Sequence, residues 1–141
     1  DAILFISPIY LDSITANLKA LLDRTSHFIH CLRLLGKYIA AVTTSGGGGG
    51  ANAAAFLKGY GVVVGAQFVG AAHAPMPLKE GDFNAARQLG NELVAAVKEK
   101  KEWPEQIAAI ENWRQHFAHS IEFCKDRWPY EYRYWQERQW L

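Results

Sequence analysis

A run of five glycines, residues 46–50, follows an apolar segment, Tyr38-Ile39-Ala40-Ala41-Val42, with only Thr43-Thr44-Ser45 between them. A continuous apolar segment bounded by turn residues has the pattern of a strand covered on both faces, as in a parallel sheet. A strand that empties into glycines exposes bare backbone N–H groups. Only glycine lets the main chain approach a ligand closely or take positive φ without a Cβ penalty. The segment is therefore expected to be a binding loop at the carboxyl end of a strand. A flexible linker, the competing reading, alternates glycine with serine over longer stretches and does not end a hydrophobic strand.

Two further runs share the strand pattern, residues 2–6 and 61–69. Between the first two strands, Ile14, Leu18, Leu21 and Leu22 recur at helical spacing, with Asp12 or Ser13 placed to cap the first turn. Strand, loop, helix, strand makes a βαβ unit. Residues 52–57 predict a short alanine-rich helix ended by Gly59, and residues 71–81, with Pro75 and Pro77, predict a loop. A helix capped by Asp82 and running to about Lys100 follows, then one beginning at Pro104 that buries Ile107, Ile110, Trp113, Phe117, Ile121 and Cys124. The fold class is α/β.

With 141 residues, half of them hydrophobic, the chain can build one sizeable core. A net charge of +1 supplies no long-range field for nucleic acid or acidic membranes. No apolar run approaches the roughly 20 residues of a membrane span, and a cytoplasmic location is the expectation. Cys31 and Cys124 lack the spacing of a disulfide framework or an iron–sulfur ligand set. The chain opens directly in a strand, which reads as the middle of a fold and leads us to expect a fragment or a polypeptide completed by another.

From Trp128 onward the chain is dense in aromatics interleaved with charges, the composition of an interface segment. Packing on its own domain competes about evenly with an embrace of a second subunit, and the expectation is the embrace, forming a homodimer or homotetramer through the tail. His27, His30 and Cys31, or His116 and His119, do not make a complete metal ligand set, and Ser7 and Ser45 lack a nucleophile-elbow motif. Neither metal binding nor hydrolysis is expected.

In an open parallel sheet, ligands bind past the carboxyl ends of the strands. Ser7, Pro8, Ile9, Tyr10 and Leu11 follow the first strand; Thr44, Ser45, Gly46, Gly47, Gly48 and Gly49 follow the second. Together they offer backbone donors, hydroxyls and an aromatic surface suited to a flat heteroaromatic ring. These segments, with Leu18-Lys19-Ala20 and Asp23-Arg24-Thr25, resemble the NADPH-dependent FMN reductase and iron–sulfur flavoprotein group of flavodoxin-like proteins. The tail, Lys125 to Tyr132 with Tyr134-Trp135, looks like a C-terminal extension of some of these flavoproteins.

The resemblance implies a flavodoxin-like three-layer fold in which residues 1–127 hold strands three to five of the family order 2-1-3-4-5 and residues 128–141 form an extension. It implies FMN as cofactor and NAD(P)H as donor. It places residues 7–11 along the isoalloxazine ring and residues 44–49 at its edge and ribityl side, with no catalytic side chain. The family's phosphate loop after strand one has no counterpart in this sequence. The implied function is FMN-dependent oxidoreduction or electron transfer; the alternative is a truncated assembly module that has lost its cofactor.

Overall fold

The computed structural model describes residues 1–141. Along the chain run β1 (Ala2–Tyr10), β2 (Ser13–Ile14), α1 (Ala16–Arg24), α2 (His27–Cys31), β3 (Tyr38–Ser45), α3 (Gly50–Val64), β4 (Gln67–Pro75), α4 (Glu80–Glu99), α5 (Pro104–Phe123) and α6 (Pro129–Glu137). The sheet order is β2-β1-β3-β4, with β1, β3 and β4 parallel and β2 antiparallel at one edge. This is the α/β arrangement of parallel strands that the strand patterns imply, and the one the resemblance leads us to expect.

Side-chain alternation along each strand divides the sheet into two faces. One face buries Phe5, Ile9, Ile39, Ala41 and Phe68 beneath Leu22 of α1 and Ala53, Leu57 and Val64 of α3. The other buries Tyr38, Ala40 and Ala72 beneath Leu89, Leu93 and Ala96 of α4. α4 lies over β3 and β4. The β1 side chains on that face are left open: Leu4 is 41% and Ile6 70% exposed.

Two boundaries differ from expectation for one reason. The helix expected at residues 52–57 runs through Gly59 and Gly61 to Val64, and the strand expected at 61–69 begins only at Gln67. A Cβ on Gly61 would lie 2.8 Å from Ile39 Cδ1, so glycine there lets α3 seat directly on β3. The valines that follow stay helical because their packing outweighs their strand propensity. The stop is Gly65, at φ +89°, with Ala66 N–H donating to the Gly61 carbonyl at 2.8 Å. β4 consequently extends through residues 71–75, which the prolines had marked as loop.

Helix starts are corrected as well. α1 is capped by Thr15, whose hydroxyl accepts from Leu18 N–H, in place of Asp12 or Ser13. α4 is capped at Lys79, with Asp82 in its first turn accepting from the Lys79 N–H at 2.7 Å. α5 starts at Pro104 as expected; Ile110 and Ile121 are buried, whereas Ile107 is exposed.

The aromatic tail folds as α6 on its own domain. Trp135 is fully buried with Leu32, Ile110 and Ile121, and Trp113, Phe117, Trp128 and Trp140 pack around them. Tyr130 remains exposed, beside the Arg33 guanidinium. No helix is long and apolar enough to cross a membrane.

Candidate functional site

The carboxyl end of β1 turns back into β2 through Leu11 and Asp12, at φ +50° and +60°. A two-residue hairpin with both central residues at positive φ matches the right-handed twist of its strands, although the left-handed region is unfavourable for leucine. Residues 7–10, expected as loop, therefore belong to strand. Ser7 is buried and locks the turn: its hydroxyl donates to the Pro8 carbonyl at 2.7 Å and accepts from the Thr15 N–H at 3.2 Å.

β3 ends level with this turn, because Pro8 and Thr44 are register partners. After Ser45 come Gly46, Gly47 and Gly48, where an added Cβ would meet nothing within 4 Å. Gly49 is different. It sits at φ +92°, and a Cβ there would come within 2.8 Å of Asp12 Oδ1 and 2.9 Å of Ile9 Cγ2. The glycine loop is thus seated on the hairpin by Gly49, while the three preceding glycines stand clear of the chain.

Between loop and hairpin lies an open depression of about 490 Å³, lined by Ile9, Leu11, Asp12 and Ser45 through Gly48. That volume is in the range of small-molecule sites. α3 begins at the end of the loop with Gly49 as its cap, no side chain bonded to its first-turn N–H groups and no acidic residue there. The nearest negative group to the positive end of its dipole is the Asp12 carboxylate, which lies against Gly49 from the hairpin.

Behind the loop stands His73 on β4, the register partner of Thr43. Its Nδ1 lies 3.0 Å from Thr43 Oγ1 and its Nε2 3.2 Å from Ser45 Oγ, and Ser45 Oγ donates to the Gly47 carbonyl at 3.0 Å.

Of the expected site residues, Ile9, Leu11, Ser45, Gly46, Gly47 and Gly48 face one depression. Gly49 shapes it. Tyr10 is exposed at the hairpin end. Ser7, Pro8 and Thr44 instead border a second, smaller cavity of about 210 Å³ on the α4 face, with Ile6, Leu78 and Phe83. Thr44 Oγ1 is buried and has no hydrogen-bond partner. Sequence reasoning gave Asp12 only a capping role and missed His73. The signal for His73 was its parallel register with Thr43, hidden by the misplaced start of β4.

The histidines and cysteines weighed as metal ligands take other positions. The His30 ring packs against Phe117 and Trp128, and Cys31 is buried, where desolvation pushes its thiol pKa up against a smaller opposing effect of Arg33. No group of three or more His, Cys, Asp or Glu side chains is assembled to hold a metal ion.

A model of the NADPH-dependent FMN reductase family matches residues 1–81. An iron-sulfur flavoprotein of Archaeoglobus fulgidus is 29% identical over 105 residues, which cover 71% of this chain and 48% of that protein. The chain thus spans about half the length of that curated relative. Among solved structures, a flavodoxin, WrbA-like protein from Agrobacterium tumefaciens superposes with a TM-score of 0.65 at 23% identity, over 71% of this chain and 68% of that one. Rubredoxin oxygen:oxidoreductase from Desulfovibrio gigas superposes with a TM-score of 0.58 at 18% identity, over 70% of this chain and 23% of that one. These superpositions establish the flavodoxin-like fold.

Proposed function

Because the chain belongs to the NADPH-dependent FMN reductase family, we propose that it binds FMN in the depression between the hairpin and the glycine loop and serves flavin-dependent oxidoreduction or electron transfer. The observation that carries this reading is the row of Cβ positions at Gly46, Gly47 and Gly48 that meet no atom of the chain beside a partly apolar wall. Side chains there would fill the space a flat ring needs. When bound, FMN accepts a hydride, with NAD(P)H as the donor in our reading, or passes single electrons.

The chain's own residues orient the ring and hold its edge. Ile9 and Leu11 supply apolar surface, with Tyr10 at the hairpin end, and Ser7 and Pro8 fix the turn that presents them. Backbone N–H groups from Ser45 to Gly48, which line the depression beside the start of α3, would donate to ring carbonyl and nitrogen acceptors. Asp12, on the depression wall, is an acceptor suited to the ring's imide N–H and repels a phosphate. No Lys, Arg or His lines the depression. The residues present therefore fit the ring and offer the phosphate no charge-assisted partner. In our reading the chain works in the cytoplasm as a homodimer or homotetramer through residues 128–141, with exposed Tyr130 at the contact.

That missing phosphate partner favours a second reading, an assembly module without cofactor. Titration of the purified chain with FMN, followed by desalting, separates the two. Visible flavin absorbance that stays with the protein and is bleached by NAD(P)H supports the proposal; a colourless protein that never quenches FMN fluorescence supports the module.

A further inference from the structure

We infer that His73 is a positioning residue for the glycine loop, an imidazole protonated on Nε2 that holds Ser45 so that its hydroxyl fastens the Gly47 carbonyl. The inference rests on the proposed flavin site and adds to it a residue on a neighbouring strand.

The hydrogen-bond directions follow from counting protons. A carbonyl oxygen only accepts, so the single Ser45 hydroxyl proton is committed to Gly47 at 3.0 Å. The Ser45 oxygen, 3.2 Å from Nε2, must then accept, and Nε2 carries the ring proton. In the neutral ring Nδ1 is left with a lone pair, and the Thr43 hydroxyl donates to it over 3.0 Å. The chain of bonds runs one way, from Thr43 through the ring and Ser45 to Gly47. Moving the proton to Nδ1 would set two lone pairs against each other at Ser45 or free the Gly47 carbonyl.

Sterics point the same way. A Cβ on Gly50 would lie 2.6 Å from His73 Cγ, so α3 starts flush against the imidazole. The ring therefore touches the loop at both ends, by a hydrogen bond at Ser45 and by van der Waals contact at Gly50. Buried Thr43 fixes the ring from β3, and the Met76 N–H, which donates to the Ser45 carbonyl at 2.7 Å, fixes Ser45 from the end of β4. Between these anchors the loop has a defined shape although Gly46–48 make no contacts through side chains of their own.

The test uses the whole chain without flavin first. Ring 15N–1H correlation spectra are expected to show His73 as the Nε2–H tautomer, and the Gly47 amide order parameter is expected near the rigid value of about 0.85. His73→Phe keeps an aromatic ring but loses both hydrogen bonds; the Gly47 order parameter should fall below about 0.6, while His73→Gln, which restores a donor and an acceptor, should recover it. With flavin, the Phe variant should weaken FMN binding about tenfold and the Gln variant return within about threefold of the parent. An Nδ1–H tautomer, or a loop equally ordered in a folded Phe variant, overturns the inference. If the Phe variant does not fold, the tautomer of the parent chain and the Gln variant still decide it. A parent chain that ignores FMN overturns the cofactor proposal, while the tautomer and order parameters continue to judge His73.

Discussion

Trp135 donates its indole N–H to the His30 carbonyl at 2.6 Å, tying α6 to α2 across 105 residues. The indole is fully buried against Leu32, Ile110 and Ile121, so this one side chain both fills a core and satisfies a backbone acceptor. Trp135→Ala should destabilise the chain by about 3–5 kcal/mol through the cavity it leaves, and Trp135→Phe by less. Urea unfolding of the two variants measures the difference. A loss below about 1 kcal/mol for the alanine variant would mean that α6 docks weakly.

The outer edge of β4 is closed by a side chain where a further strand would otherwise pair. Gln106, buried on α5, accepts from the Phe68 N–H at 2.7 Å and donates to the Phe68 carbonyl at 2.9 Å. Both bonds vanish in Gln106→Ala, leaving two buried backbone groups unpaired at about 1–3 kcal/mol each. Gln106→Glu keeps only the acceptor and adds a buried charge, so it should be no better. Amide exchange at Phe68 is the direct readout, and unchanged protection in the alanine variant would contradict this role.

How far the sequence disclosed this molecule depends on which physics each residue obeys. Strand 38–42 is legible because its continuous apolar run is covered on both faces, and 2–6 carries the same pattern although one of its faces is open, with Ile6 70% exposed. The extent of α3 was not legible: Gly59 looks like a stop and residues 61–69 like a strand, whereas Gly61 leaves the room that lets the helix continue against Ile39 on another element. That single long-range contact shifted β4 and concealed His73. The glycine loop was legible as a type of site. Its internal division, with Gly49 structural and Gly46 to Gly48 free, required the hairpin that sets Asp12 against it.

That division gives a paired prediction. Gly47→Val puts a side chain into the depression with a Cβ that meets no atom of the chain within 4 Å, so the melting temperature should hold while FMN binding weakens at least about tenfold. Gly49→Ala forces a side chain into positive φ and into Asp12 and Ile9, at about 1–3 kcal/mol of stability. Riboflavin should bind residues 1–141 about as tightly as FMN, since no basic side chain lines the depression to hold a phosphate. Fluorescence titrations with both flavins test this; a large preference for FMN would reveal a phosphate site elsewhere.

Stability should decline on the alkaline side. Burial raises the pKa of Cys31, partly opposed by Arg33, and burial followed by Glu102 raises that of Tyr38. A group whose folded pKa is raised stabilises the fold at pH below its unfolded value and loses that contribution as pH climbs. For Cys31 the loss begins near the unfolded thiol value of about 8.5, with a slope of at most about 1.4 kcal/mol per pH unit. Unfolding free energies measured from pH 7 to 10 should fall more steeply above about pH 8.5 for the parent than for Cys31→Ala. Identical slopes in both would show that the Cys31 thiol ionises freely in the folded chain.

The free flank of β1 should be a second association-prone surface, apart from residues 128–141. β1 pairs with β3 along residues 2–8 on one side, whereas its other side meets β2 only at Ile9 and Tyr10. An unpaired strand edge offers N–H and C=O groups to any second strand, and charge is the usual protection against that. Here the adjoining side chains are apolar: Ile6 is 70% exposed, and α4 covers β3 and β4. Ile6→Lys removes no buried contact, so stability should change by under about 0.5 kcal/mol. Sedimentation velocity across a concentration series should then shift toward monomer relative to the parent. Association through Tyr130 and α6 would survive that substitution, so an unchanged distribution assigns self-association to the tail and exonerates the β1 edge.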